Sequence, residues 1–191
     1  LSSILFFRMY GLFLVLPVFS ALAMGLDQAT PLLVGLAFGA YGVTQGILQV
    51  PFGMLSDRIG RKPVIMGGLL IFVLGSVMAA VTDSVYWMIA ARFLQGAGAV
   101  SSAIFALIAD LTRPEVRTRA NAFLGGSIGI SFGIAILSAP FLSQAFGLDG
   151  LFWLISAITM LSMGILLKGV PEVEPSSKLV EPESAARMLL T

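Results

Sequence analysis

Charged and hydrogen-bonding residues are sparse in this 191-residue chain, so their spacing carries the chemistry. The densest group is the run Gly53-Met54-Leu55-Ser56-Asp57-Arg58-Ile59-Gly60-Arg61-Lys62-Pro63. Asp57 or Ser56 can cap exposed backbone N–H groups, Gly60 can take a positive φ, and Pro63 suits the first turn of a following helix. On the residues alone, a capped basic turn and a functional site are equal readings. Arg92 is the second candidate. It lies nine residues beyond Asp83, about 13 Å of helix, inside an apolar run. A permanent cation there can attract an anionic group of a substrate or stabilise the charged form of a carboxylate. It costs at least ~2.5 kcal/mol on insertion scales, which makes it a functional candidate by default. Tyr41, Gln45 and Gln49 stand four apart on one helix face, and with Gln95 beside Arg92 and Asn121 they are the candidates for lining a cavity. Each Gln can equally serve as a helix–helix hydrogen bond. Phe13, Phe105 and Phe132 are read either as an apolar pocket wall or as plain packing surface. The chain has no His and no Cys, which removes imidazole and thiolate ligands, the usual general base and a cysteine nucleophile. No metal, cofactor or catalytic residue is expected, and an enzyme is excluded.

The elements that must position these residues follow from composition. Hydrophobic residues make up 58% of the chain and charged residues 11%, against about 25% in an ordinary soluble domain. Mean hydropathy is +0.99. So little charge cannot cover a water-soluble fold of this size, and a net charge of +1 offers no basic footprint for nucleic acid. The partner implied is a lipid bilayer. A bilayer core of about 30 Å needs roughly 20 helical residues. The apolar gaps between charges predict six spanning helices, near 4–26, 32–55, 63–82, 86–109, 119–142 and 150–168. Period-2 alternation of the barrel kind is absent.

Orientation follows from the turns. Those after the first, third and fifth spans carry Asp27, Asp83 and Asp149 and no Lys or Arg. Those after the second and fourth carry Arg58, Arg61, Lys62, Arg113, Arg117 and Arg119. The positive-inside rule makes both ends of the segment cytoplasmic. Residues 1–170 form one transmembrane bundle, and 171–191, with Pro171, Pro175 and Pro182 among four Glu, read as a solvated cytoplasmic linker. The chain opens on Leu1 rather than Met and stops soon after that linker, so it is expected to be the first half of something larger.

The run at 53–62 resembles the signature loop of the major facilitator superfamily, G-x-x-x-D-R-x-G-R-[RK], matched by Gly53, Asp57, Arg58, Gly60, Arg61 and Lys62. Arg92-Phe-Leu-Gln95-Gly96-Ala-Gly98 is similar to the family's R-x-x-Q-G-x-G segment, and Asp110 in Ala-Asp-Leu-Thr-Arg113 is a third match. The run Arg8 to Pro17 resembles the first helix of drug/proton antiporters, particularly the YajR-type group. The resemblance implies six helices in two inverted three-helix repeats, half of a twelve-helix fold whose carboxy-terminal half is absent here. It implies a secondary active transporter in the bacterial inner membrane, exporting small drug-like or amphipathic molecules in exchange for protons by alternating access. Sugar or metabolite transport on the same scaffold, or a non-transporting six-helix subunit, are the alternatives. By resemblance, Asp57, Arg61 and Asp110 form a charge cluster that locks the cytoplasmic gate in the outward-open state; Arg92, as a permanent cation near mid-membrane, is expected on physical grounds to act in coupling. The glycine-rich antiporter motif is matched only in part, because Ala139-Pro140-Phe141 lacks its flanking glycines.

Glycines 35, 39, 42, 46 and 53 pave one face of the second span, either for static packing inside the bundle or for a sliding contact with the absent half, which the resemblance favours. Arg92, Gly96, Ala99, Ala103, Ala106 and Asp110 form a similar stripe on the fourth. Pro51 and Pro140 are expected to close the second and fifth spans. The third and sixth spans, lacking charge, are expected to be lipid-facing supports. Arg8 lies nineteen residues before Asp27, roughly 28 Å of helix, where its stem can snorkel to the cytoplasmic surface.

Overall fold

The computed structural model describes residues 2–98 and 100–169. The expected linker 171–191 and Ala99 of the second stripe lie outside the described residues. The architecture is all-α and multi-spanning: α1 (Ser2–Val15), α2 (Phe19–Ala23), α3 (Pro31–Ile59), α4 (Arg61–Ala80), α5 (Val85–Ala97), α6 (Ser101–Leu111), a 3₁₀ turn at Pro114–Val116, and α7 (Arg117–Gly169). Four stretches are long and apolar enough to cross a membrane by themselves: α3, α4, the α5–α6 pair and α7.

Four of the expected spans have a different outline. The first breaks after Val15 into α1 and the short α2, next to Pro17, which has no N–H to continue the ladder and disfavours helix in the residue before it. The fourth breaks at Gly98 into α5 and α6. A Cβ on Gly98 would run into the Gly68 carbonyl, so the break coincides with a close approach of α4. The fifth and sixth are joined without a loop: α7 is helical throughout except at Gly147, whose φ of 66° is open to glycine and strained for other residues. Leu124 and Leu166 share one apolar cluster, so the two limbs of α7 run antiparallel about that glycine. Pro51 and Pro140 end no helix; both lie inside one. Membrane helices tolerate an internal proline because surrounding groups can satisfy the freed carbonyl; near Pro51, Ser102 of α6 also donates to the Gln49 carbonyl at 2.7 Å, which ties α6 to α3.

Two apolar clusters stack along the bundle axis. One gathers Leu14, Phe19, Val34, Val85, Met88 and Leu148 at the acidic end, where the backbone of Asp27 pairs with that of Asp83. The other gathers Leu5, Val64, Ile65, Leu107, Leu124 and Leu166 at the basic end. On α1 the change from one cluster to the other falls around Arg8, and on α5–α6 around Arg92 and Gln95. The buried polar side chains therefore form a layer between two oily cores.

The uncharged spans are not lipid-facing supports. Ten residues of α4 are buried, among them Leu69, Phe72 and Ser76, because the helix is wedged between α5 and α7. The second limb of α7 buries Leu151, Phe152, Ile155 and Thr159 and leaves Trp153, Met160 and Leu167 on its outer side. The exposed edge is α3, which buries little beyond Val34, Ala37, Ala40, Tyr41 and Ser56. Nothing lies within 4 Å of where a Cβ would stand on Gly35, Gly39, Gly42 or Gly46, so this glycine face packs against nothing within the described bundle.

Candidate functional site

Two charged sites emerge, one at the basic end and one in the interior. At the basic end α3 continues through Ile59, so Asp57 and Arg58 belong to its last turn and the turn itself is the single residue Gly60, with φ 103°. That abrupt reversal brings Arg61, the first residue of α4, back beneath the helix it follows. Arg61 Nη1 meets Asp57 Oδ1 at 2.5 Å, and Arg61 Nε donates to Asp110 Oδ2 at 2.9 Å. Ser56 does not cap α4. Its hydroxyl donates to the Gly53 carbonyl at 2.6 Å and accepts from Arg61 Nη1 at 2.7 Å. One guanidinium thus ties together α3, α4 and α6. Lys62 Nζ donates to the Leu167 carbonyl at 3.3 Å, linking α4 to the end of α7, and Arg58 is exposed. Gly53 faces Ser102 of α6, whose Oγ would stand 3.4 Å from an added Cβ.

In the interior, Arg92 is 3% exposed. Its Nη1 donates to Gln95 Oε1 at 2.7 Å, Gln95 Nε2 donates to Ser76 Oγ at 2.6 Å, and Ser76 donates to the Phe72 carbonyl at 2.8 Å. The direction of donation is consistent along the relay and fixes the Gln95 amide, since only its oxygen can accept from a guanidinium. Arg92 also lies over two ring faces, Tyr41 at 4.8 Å and Phe19 at 5.3 Å. The approach of α5 to α3 that brings it over Tyr41 requires Gly96, where a Cβ would collide with the Tyr41 carbonyl.

Arg8 departs from its expected place. It does not snorkel: it is 1% exposed, with its guanidinium 5.0 Å from the centre of the Phe72 ring, and Phe72 is midway along α4. Counting residues back from Asp27 overstated its distance because the chain between them is not one straight helix.

An open groove of about 380 Å³ runs along α3, lined by Leu12, Leu16, Phe38, Tyr41, Gly42, Gln45, Gly46, Gln49 and Arg92. Tyr41, Gln45 and Gln49 share its wall with Arg92. Gln95 does not line it and stands behind Arg92 as a positioning residue. Asn121 is exposed near the start of α7, away from the groove, because α7 begins at Arg117 and the first turn of that helix is outside the packed layer. Phe13 and Phe132 meet edge to face at 5.0 Å, while Phe105 is outside that pair and partly exposed. Ser56, Ser76, Phe19 and Phe72 carry contacts that spacing did not reveal: a serine in an apolar helix ordinarily bonds its own backbone. Among the described residues no cluster of His, Cys, Asp or Glu could hold a metal.

Residues 1–190 match the model of the Major Facilitator Superfamily. The chain is 47% identical over 171 residues to the inner membrane transport protein YajR of Escherichia coli K12, covering 90% of this chain and 38% of that protein. It superposes on the POT family transporter PepTSo with a TM-score of 0.80 at 16% identity, covering 92% of this chain and 38% of the other. The human organic anion transporter MFSD10 gives 0.79 at 21% identity, with 93% and 47% covered. The chain therefore spans less than half the length of these proteins, and the all-α fold is that of part of each.

Proposed function

The chain belongs to the major facilitator superfamily, a family of membrane transport proteins and not of enzymes, and from that premise we propose that it is the amino-terminal half of a proton-coupled secondary transporter of small molecules. The interior Arg92 carries this reading: it is buried, held by the Gln95–Ser76 relay and opens onto the groove of α3. A second six-helix half would face the open glycine side of α3 and close the groove, and the substrate would be reached alternately from the two sides. The two halves of this chain, about α1–α4 and α5–α7, would be inverted repeats. The protein would reside in the bacterial inner membrane, as the name of YajR says of that protein, with its basic turns cytoplasmic.

Metabolite-like substrates are the leading class, since among solved structures of like fold one is named an organic anion transporter and another a peptide transporter. Export of drug-like molecules is the second reading, favoured by the apolar wall of Leu12, Leu16 and Phe38. The described carboxylates lie at helix ends, in turns or, for Asp149, beside the Gly147 kink of α7, so the proton carrier would come from the other half. The role of the Asp57–Arg61–Asp110 cluster would be to latch the basic-end gate while the opposite side is open.

The test uses the full-length protein in proteoliposomes, with flux driven by a pH gradient and read by a trapped pH dye over a substrate panel. Arg92→Ala should insert normally and lower gradient-driven flux at least about tenfold, equivalent to about 1.4 kcal/mol. Unchanged flux and unchanged gradient dependence in that variant would remove Arg92 from coupling.

A further inference from the structure

The groove along α3 changes character along its length. Helix α3 runs from Pro31 at the acidic end to Ile59 at the basic end, so Phe38, Tyr41, Gln45 and Gln49 follow one another down one face, about a turn apart. Phe38, with Leu16 just past α1, makes the stretch nearest the acidic end apolar. Arg92 stands over the Tyr41 ring at 4.8 Å, in the middle. The Gln45 and Gln49 positions lie one and two turns further towards the basic end, about 6 and 12 Å from Tyr41. Among the lining residues Arg92 alone is charged, so the groove carries a cation and no anion. Much of its hydrogen-bonding capacity is unused. Arg92 gives Nη1 to Gln95, but Nε has no partner, and no hydrogen bond within the described residues engages Nη2. The Tyr41 hydroxyl and Gln45 Oε1 are buried without partners as well. A ring face attracts a guanidinium but offers no acceptor to N–H groups that lie in its plane. Arg8, enclosed against Phe72, does not line the groove and takes no part.

We infer that the groove is a three-point site for an N-acylated amino acid, with its carboxylate at Arg92, its apolar side chain towards Phe38 and Leu16, and its amide against Gln45. This rests on the transport reading above and names its substrate class. The two unengaged nitrogens of Arg92, Nε and Nη2, make up one edge of the guanidinium, and their parallel N–H groups match the two oxygens of a carboxylate. A neutral ligand would leave that desolvated cation uncompensated. An amide brings one donor and one acceptor, and the Gln45 amide, turned about its last bond, offers the complementary pair. A plain apolar acid would leave Gln45 Oε1 as it is, buried and unpaired. The α-carbon of an acylated amino acid carries an apolar arm, a carboxylate and an amide arm, which is the order of groups down α3. The same carboxylate chemistry could be supplied to Arg92 by an acidic side chain from the rest of the protein, and the experiment separates the two sources.

The full-length protein, purified in detergent, is titrated with N-acetyl-L-phenylalanine and with probes that each lack one arm, and affinity is read from the rise of Tm with probe concentration. Without the acetamido arm, 3-phenylpropanoate should bind about fivefold more weakly. Without the ring, N-acetylglycine should lose at least about tenfold, and so should the uncharged N-acetyl-L-phenylalaninamide. The two enantiomers of N-acetylphenylalanine should differ about fivefold, because one of them must give up an arm. Gln45→Leu, a change at a half-buried position, should abolish the advantage of N-acetyl-L-phenylalanine over 3-phenylpropanoate and leave the affinity of 3-phenylpropanoate unchanged. Arg92→Gln should weaken both acids at least about tenfold, and Arg92→Lys, which keeps the charge but loses the fork, should fall between. Equal affinity for all the probes, equal affinity for the two enantiomers, or a Gln45→Leu protein that weakens both acids alike overturns the inference. Absence of any stabilisation by the acids also overturns it, because it would show that a carboxylate of the protein already holds Arg92. The transport reading fails separately: gradient-driven flux that N-acetyl-L-phenylalanine neither drives nor inhibits keeps it and removes the three-point site, whereas arm-selective binding without any flux does the reverse.

Discussion

Arg61, at the basic end, meets two carboxylates and a hydroxyl, while Arg92, between the two apolar cores, meets a neutral amide and two ring faces. The difference in surroundings is as large. The Asp57 and Asp110 side chains that hold Arg61 are 53% and 37% exposed, whereas Gln95 and Ser76 behind Arg92 are fully enclosed. At the basic end the charge of the arginine is neutralised and its partners can exchange with water. In the interior the arginine is fixed in position but keeps its charge. A latch needs the first arrangement, because it must open at little cost. A site that waits for an anion needs the second, because neutral dipoles orient a cation without competing for it.

The largest expected effect comes from breaking the support of the interior site. A Cβ on Gly75 would stand 2.5 Å from the Gln95 amide nitrogen and 2.9 Å from the Ala91 carbonyl, both backbone atoms that cannot turn aside. Gly75→Ala should therefore destabilise the protein by about 1–3 kcal/mol, a Tm loss of about 3–10 °C. Gly35→Ala, whose Cβ meets nothing in this bundle, is the matched control and should leave the packing of these helices intact. A Gly75→Ala protein with the Tm of the parent would mean that α4 and α5 are not in contact as described.

A smaller change removes one link of the relay. Ser76→Ala leaves the buried Gln95 Nε2 without its acceptor, a cost of about 1–2 kcal/mol. Gln95 is then free to turn and Arg92 loses its orientation, so flux should fall further than Tm alone explains. Ser76→Thr keeps the hydroxyl and should restore most of the flux. Equal flux in the alanine and threonine variants would show that the relay does not position Arg92.

How much of this contrast can be read from the sequence depends on which geometry each residue needs. The basic-end cluster is local: Asp57 and Arg61 are four apart, and Asp110 is carried by a recognisable segment, so spacing is enough. The depth of Arg92 follows from its distance to Asp83 along a helix that is intact over that stretch. Arg8 fails the same count because the chain breaks after Val15 and again after Ala23, and no residue count crosses two breaks safely. Ser76 is hidden for another reason. A hydroxyl on an uncharged helix gains meaning only when the rotation of α4 turns it towards Gln95, and rotation is set by packing against α5 and α7. Asn121 shows the opposite case: its type suits a cavity, but its place near the start of α7 leaves it exposed and outside the groove of α3.

The smallest effect should be at the basic-end cluster, and it is the one that most sharpens the comparison. Two ion pairs with partners this exposed contribute only about 0.2–1 kcal/mol each, since water and salt screen them. Asp57→Asn and Asp110→Asn should therefore barely move Tm. Their consequence should appear in the balance between conformations, where a few tenths of a kcal/mol changes populations measurably. Both carboxylates act through the single guanidinium of Arg61, so their effects should not add: once one is gone, Arg61 can turn fully to the other or to Ser56. The measurement is a double-mutant cycle read by the thiol reactivity of Ser102→Cys, a residue on α6 beside Gly53, in the full-length protein. Asn at either position should raise that reactivity, the double variant should raise it by less than the product of the two, and high salt should bring the parent closer to the variants. Arg92 variants, whose partners are neutral and enclosed, should show no such salt dependence. Additive changes at 57 and 110, or equal salt sensitivity at the two arginines, would mean that the exposed and the buried guanidinium work by the same means after all.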